Sequence, residues 1–366
     1  MPGIYSEWKQ FIGAYLDGAY PEFVLKAQLG NDIPVFVNHH VLPDEFELCL
    51  SHLQRNGYST LDADEHANGL LDKSNVPLKS VVMTFDDGTV DLYDIVYPLL
   101  RKYQMKIIVF LIPGWIGSRG MLNWDQITEM HRSGSVDFQS HSMNHPAIFT
   151  SPRIVDFYRP FGPNFKMWNV PLKRASAEEC KMVAPEFGNP VYEYHSRFSN
   201  RKRYLPDSEL DASCAAYVRV NGGAKFFKHR KWSRVLDDFV RTYRKQNDIR
   251  DGYESDSDQI TSILEELYLS KYKIERELNN KTVRHFAFPW NQMGGVAIDM
   301  LMKSGYTTAY TGLIPDEVDS ESSDQLKIVR RVTGDFIECL PGEGRRSFRS
   351  IMLRKMRRRL RRGLMY

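Results

Sequence analysis

The feature of this sequence that most constrains its fold is a rhythm. Short apolar runs, rich in β-branched and aromatic residues, recur at 34–38 (PVFVN), 81–85 (VVMTF), 106–112 (KIIVFLI), 136–140, 283–288, 307–310 and 326–332. Each has the length and composition of a buried strand. Helical stretches fall between them: 46–53, closed by Gly57; the segment after Gly88 through Leu100, with Pro98 an expected irregularity; 127–131; 260–278; and 297–303. Such alternation predicts parallel strands joined by crossover helices. Three strands run into polar, metal-capable residues, at Asp86-Asp87, at His141 and around Pro289. Closed βα barrels and open doubly wound sheets both build sites at the carboxyl ends of strands. The glycine-rich phosphate loop that an open sheet often carries is absent, so a barrel is expected.

The rhythm breaks inside the chain. The expected organisation is a helical lead-in (1–33), the first part of the barrel (34–146), an insertion (147–258), the second part of the barrel (259–340) and a basic tail (341–366). The insertion starts beside the histidine motif and far exceeds an ordinary connection, so it is expected to form a lid subdomain that restricts the substrate. Within it, Phe157, Tyr158, Phe161, Phe165 and Trp168 suit either an aromatic ligand-stacking wall or the insertion's own core, and the core is expected for most of them. Two basic, aromatic segments, RFSNRKRY (197–204) and KFFKHRKW (225–232), are candidate phosphate contacts or solvated faces.

The net charge of +3 hides an asymmetry, because residues 345–366 hold ten Lys/Arg and no acid. The tail places Phe348, Met352, Met356, Leu360 and Leu364 at steps of four, the pattern of a basic amphipathic helix. Contact with an anionic membrane through 345–366 is the expectation, with nucleic-acid contact or a cap on the protein's own body as alternatives. The rest of the chain is net acidic, and no nucleic-acid partner is expected for it. Four scattered cysteines with no C-x-x-C pair fit a reducing compartment. No apolar run approaches the ~18 residues of a membrane span, and the N-terminus lacks a signal-peptide core. A cytoplasmic protein is expected, peripheral at the inner membrane face through its tail. With 42% apolar and 26% charged residues, the composition excludes a disordered chain, a collagen-like fibre and a disulfide scaffold.

Two motifs carry chemistry. In Thr84-Phe85-Asp86-Asp87-Gly88, adjacent carboxylates at a strand end can divide labour, one holding a cation and the other taking a proton from water; alone, the sequence also reads as a solvated turn. In His141-Ser142-Met143-Asn144-His145-Pro146, two histidines four apart can share a metal or simply be a buried or surface pair. Two histidines with one carboxylate make a catalytic zinc set with a position left open, and they suit other divalent ions too.

TFDDG followed by HSMNHP resembles the NodB-homology polysaccharide deacetylases, carbohydrate esterase family 4. The likeness extends to NHHV after the first strand, to FELCLSHLQRNGYSTL, to LNWDQITEMHRSGSVDFQSHS and to SKYKIERELNNKTVRHFAFPW. It implies a distorted (β/α)7 barrel and a hydrolase that removes an N-acetyl or similar N-acyl group from an amino sugar, in cell-surface polysaccharide biosynthesis. A deformylase or amidase on another C–N bond and a non-catalytic glycan-binding relative are the alternatives. The resemblance implies Asp87, His141 and His145 as ligands of one divalent ion, expected to be Zn2+, and Asp86 as the catalytic base. It implies the backbone N–H of Trp290 as an oxyanion donor, and Pro289, Asn291 and Arg331 at the substrate. Two departures stand out. The family's third motif often has a base-orienting arginine where this chain has Ala287, and Arg331 occupies the place of the last motif's acid-supplying histidine. Arginine stays charged at neutral pH and donates no proton. His39 is therefore the first candidate for the general acid, with His285 second.

Overall fold

The computed structural model describes residues 13, 18–30, 33–160, 171, 173–174, 182–183, 185–313 and 325–362. The chain divides into two compact units, one of Pro146–Ile263 with Gly294–Ala297, the other holding most of the remaining chain.

The larger unit is a closed barrel of seven parallel strands: β1 (Val35–Asn38), β2 (Ser80–Asp87), β3 (Ile107–Leu111), β4 (Val136–Ser140), β5 (His285–Ala287), β6 (Thr308–Gly312) and β7 (Lys327–Thr333). Closure comes from β1, which pairs with β2 (Val35 opposite Val82) and with β7 (Phe36 opposite Val332). Side chains alternate along a strand, so every second residue points inward. The barrel core gathers Val35, Val82, Ile108, Phe110, Ala287, Tyr310 and Val329. Counting in steps of two from these core residues puts Thr84 and Asp86 on the inner face of β2, and Arg331 on that of β7.

The helices follow the expected rhythm with informative differences. Helix α1 (Pro43–Arg55) buries Phe46, Leu50 and Leu53 along one face. Helix α2 (Ala63–Leu71), capped by reciprocal bonds between Asp62 and Glu65, has no counterpart in the spacing read from sequence. The irregularity expected at Pro98 is real: a π-helical turn (Leu92–Val96) gives way there to α3 (Tyr97–Tyr103). A proline near the start of a helical segment forfeits no hydrogen bond the segment needs. Helices α4 (Trp124–Arg132), α5 (Asp256–Glu277) and α6 (Gly295–Lys303) follow in chain order.

The smaller unit has its own core, in which Phe157, Leu210, Cys214, Val218, Leu236 and Val240 are buried. Strand Ala147–Phe157 pairs antiparallel with Pro190–Ser196, and two helices, Ser208–Val220 and Trp232–Gln246, supply the apolar faces. Phe157 thus belongs to the insertion's core, and Tyr158 is buried and stacks on Phe187. Phe161, Phe165 and Trp168 lie outside the described residues. The phosphate reading of 197–204 is corrected at its leading arginine. Arg197 is buried and donates to both carboxylate oxygens of Glu254, at 2.7 and 2.9 Å.

The tail helix, α7 (Phe348–Arg362), docks on the barrel unit. Ile351 is fully buried, and Phe348 stacks on Phe336 with ring centroids 5.8 Å apart. Lys355 and Arg358 pair with Asp335 at 2.9 and 3.1 Å, Arg358 reaches Glu45 at 2.8 Å, and Arg354 pairs with Glu338. The expected apolar stripe is therefore divided. Phe348 packs on the body, Met356 stays exposed, and Leu360 and Leu364 lie outside the residues whose side chains are described. No helix among the described residues is long and apolar enough to cross a membrane.

Candidate active site

Strand β2 ends by placing two carboxylates in opposite roles. Asp86 points inward and is almost completely buried. Asp87 follows with φ +75°, and Gly88 with φ +90°. A β-carbon on Gly88 would sit 2.7 Å from Leu111 Cδ2, so only glycine lets the chain turn this tightly against β3. The turn swings Asp87 towards His141, whose Nε2 lies 3.7 Å from Asp87 Oδ1.

The histidine motif is held by its own polar atoms. His141 donates from Nδ1 to the carbonyl of Ala287, at 2.8 Å, which leaves Nε2 as the lone-pair nitrogen facing Asp87. The backbone N–H of His145 donates to Ser142 Oγ (3.0 Å). Asn144 is gripped by Glu266 twice, at 2.8 Å from its backbone N–H and 2.8 Å from its side-chain amide. The His145 ring contacts Trp290 edge-on, with centroids 4.1 Å apart, and lies 5.6 Å from Trp115. Its Nδ1 is buried with no hydrogen-bond partner among the described residues. Burial lowers the basicity of both histidines, and for His145 the neighbouring His141 adds to the effect. Both rings are therefore neutral at pH 7, the form that binds a cation.

Asp87, His141 and His145 each offer a ligand atom, and these atoms lie within 4.8 Å of one another. That is the one such group of three or more among the described residues. The donor set, two neutral imidazoles and a carboxylate, fits a divalent ion with coordination positions left over.

Asp86 is held from the opposite side. Arg331 donates from Nη1 to Oδ1 (2.7 Å) and from Nη2 to Oδ2 (2.8 Å), and Nη1 also reaches Thr84 Oγ1 (3.1 Å). Burial alone would raise the Asp86 carboxyl, but Arg331 and the nearby histidines hold it well below the usual carboxylate range. This corrects the expectation that Arg331 binds substrate. Its side chain is fully buried, both ends of its fork are committed to Asp86, and Phe110 packs beneath it at 5.5 Å. Ala287 stands where the third motif often has an arginine, and the arginine that holds Asp86 here is Arg331 on β7.

The remaining candidates separate clearly. His39 is half-exposed at the end of β1, with Nε2 3.9 Å from Asp86 Oδ2. His285 opens β5, is buried, and bonds Asp64 Oδ1 at 3.1 Å, which takes it out of contention as the acid. Trp290 (φ +53°) and Asn291 (φ +59°) form a left-handed turn after β5. Asn291 packs so closely on Gly312 that a β-carbon there would lie 2.8 Å from Asn291 Cγ. Pro289 is buried and shapes this turn, so it offers no surface to a substrate. Among the described residues, five of the eight non-glycine residues with positive φ are Asp87, Ser142, His145, Trp290 and Asn291. Backbone strain is thus concentrated at this one end of the barrel, as at functional sites generally. Thr84 opens the TFDDG motif but its bond to Arg331 is seen only in the fold, and Glu266 carries no motif signal of its own.

Comparison with known proteins agrees with this geometry. Residues 73–160 match the family model described as polysaccharide deacetylase. The Bacillus subtilis protein YxkH, named for polysaccharide deacetylation, is 33% identical over 129 residues, which cover 33% of this chain and 46% of the relative. A poly-β-1,6-N-acetyl-D-glucosamine N-deacetylase of Staphylococcus epidermidis is 32% identical over 116 residues, covering 30% of this chain and 40% of the relative. The chain thus spans less than half the length of these curated relatives. In fold, it resembles the BpsB deacetylase domain of Bordetella bronchiseptica (TM-score 0.51, 16% identity, 82% of this chain and 95% of that one). It also resembles a de-N-acetylase of Aggregatibacter actinomycetemcomitans (TM-score 0.50, 16% identity, 83% and 95%). The matched segment runs through the paired aspartates and both histidines, which the seven-stranded barrel gathers at one end, and over that segment the chain is similar to the polysaccharide deacetylase family.

Proposed function

We propose that the protein is a metal-dependent hydrolase that removes an N-acetyl group from an amino sugar of a glycan or sugar conjugate. The observation that carries this reading is a division of labour: a buried carboxylate clamped by an arginine beside a carboxylate grouped with two neutral histidines. Asp87, His141 and His145 would hold the ion, which we propose is zinc. Such an ion supplies the positive charge that polarises an amide carbonyl and makes water more acidic. Asp86 takes the proton of the attacking water, with its oxygens held in place by Arg331. The backbone N–H of Trp290 donates to the developing oxyanion. His39, half-exposed beside Asp86, returns a proton to the departing amine.

The test joins metal analysis to acetate release from neutral N-acetylglucosamine oligomers linked β-1,4 or β-1,6. Wild-type protein is expected to hold one divalent ion per chain and to release acetate. His141→Ala is expected to lose the ion and the activity together. Stoichiometric metal in that variant would show that the ligand assignment is wrong, and no acetate from either oligomer series would refute the reaction.

A further inference from the structure

Helix α7 leaves a trough against the barrel unit that the proposed chemistry does not use. It encloses about 700 Å³ and is lined by Arg346, Arg349, Arg354, Arg357 and Arg358, with Glu45 its one acid. The trough shares Glu45, Arg354 and Arg358 with a neighbouring cavity of about 280 Å³, whose lining includes His39 and His40. The two cavities thus adjoin, and the smaller one reaches His39, the residue beside Asp86.

The charges here do not cancel. From 346 to 358 the tail presents six cations: Arg346, Arg349, Arg354, Lys355, Arg357 and Arg358. The acids that meet them are Glu45, Glu338 and Asp335. Arg346 (2.9 Å) and Arg354 share Glu338, and Lys355 and Arg358 share Asp335. Arg349 and Arg357 make no ion pair among the described residues. They are exposed, two helical turns apart, with Leu353 between them on the same face. Ser347, just before α7, and Ser350, in its first turn, line the same trough. Uncompensated arginines beside hydroxyls and a helix start are a donor set for phosphate oxygens, because a guanidinium fork matches two of them at once.

We propose that this trough binds a phosphoryl group, a phosphate mono- or diester carried by the substrate or by the surface on which the substrate is presented. The inference rests on reading the barrel mouth as the deacetylation site, since that gives the adjoining cavity at His39 its meaning. Arg349 and Arg357 supply the free charge, while the paired arginines fix the walls.

The experiment uses the full chain and the double variant Arg349→Gln/Arg357→Gln, with Arg132→Gln, an exposed arginine on α4, as a charge control. Binding of pyrophosphate is measured by calorimetry. Binding to phosphatidylcholine vesicles is measured with and without phosphatidylglycerol. Wild-type protein is expected to bind at least one of these phosphate probes in a salt-sensitive way, and the double variant to bind it at least about tenfold more weakly. Arg132→Gln should bind as wild type does. Variant-sensitive binding of pyrophosphate supports a soluble or substrate-borne phosphate. Variant-sensitive binding confined to the anionic vesicles supports a lipid headgroup as its source. Equal binding by wild type and double variant, an equal loss in Arg132→Gln, or no binding of either probe overturns the proposal. Acetate release from the neutral oligomers should be unchanged in the double variant. Failure of the wild-type protein in that assay would count against the reaction, and loss of phosphate binding alone would not.

Discussion

Asp86→Asn is expected to keep its metal ion and to lose roughly 10²–10⁴-fold in kcat, the usual contribution of a positioned general base. The amide cannot take a proton from water, whereas Asp87, His141 and His145 are untouched. The substitution also has a structural consequence that follows from the clamp. Arg331 donates to both oxygens of Asp86, so one guanidinium N–H would face the amide's NH₂, and the arginine's charge would be buried without compensation. Removing one partner of a buried pair costs about 3–5 kcal/mol. A lower melting temperature is therefore expected alongside the lost activity, and the assay must be run well below it. The double variant Asp86→Asn/Arg331→Met separates the two effects, because removing both charges should recover most of the stability while activity stays lost. Metal content, thermal unfolding and acetate release measured on all three proteins check this. Near wild-type turnover in either variant would exclude Asp86 as the base.

Arg331→Lys is expected to lower kcat by about 10–100-fold and to leave KM nearly unchanged. A lysine keeps the charge but has no planar fork, so it cannot hold both carboxylate oxygens and Thr84 in one geometry. A displaced base costs rate steeply even when it is still present. Since Arg331 is fully buried, losing the fork should not alter ground-state binding of the sugar. A rise in KM at constant kcat would mean that Arg331 contacts substrate after all. Metal content should be unaffected, because the arginine touches Asp86 and not the three grouped ligands.

Much of the barrel could be read from the chain because its cause is local. Runs such as VVMTF and KIIVFLI are short, apolar and bounded by turn residues, and parallel strands buried on both faces need little else. That two carboxylates and two histidines come to one end of the barrel was legible for the same reason, whereas the choice of Asp87 as the partner of His141 and His145 came from the family resemblance. Each residue sits at or just beyond the end of a strand that its own neighbours specify, and parallel strands bring those ends together. The α2 helix and the insertion's core were less legible. The first is secured by a capping box on a short segment, and the second by contacts between residues as far apart as Phe157 and Val240.

What the sequence by itself determined was therefore the strand order of the chemistry: an acid pair at the end of β2, a histidine pair after β4, and an odd arginine in β7. The partners of those groups were decided by the tertiary structure alone. Asp86 and Arg331 are 245 positions apart, and no local pattern joins them. They meet because closure through β1 brings β2 and β7 to either side of one strand, with both side chains on the inner face. The same distinction governs the tail. Its charge was plain in the sequence, but which arginines are neutralised by Glu45, Asp335 and Glu338, and which are left free, depends on where the helix docks. Pairing in a folded chain depends on distance in space, and spacing along the sequence reveals that distance only within a single element.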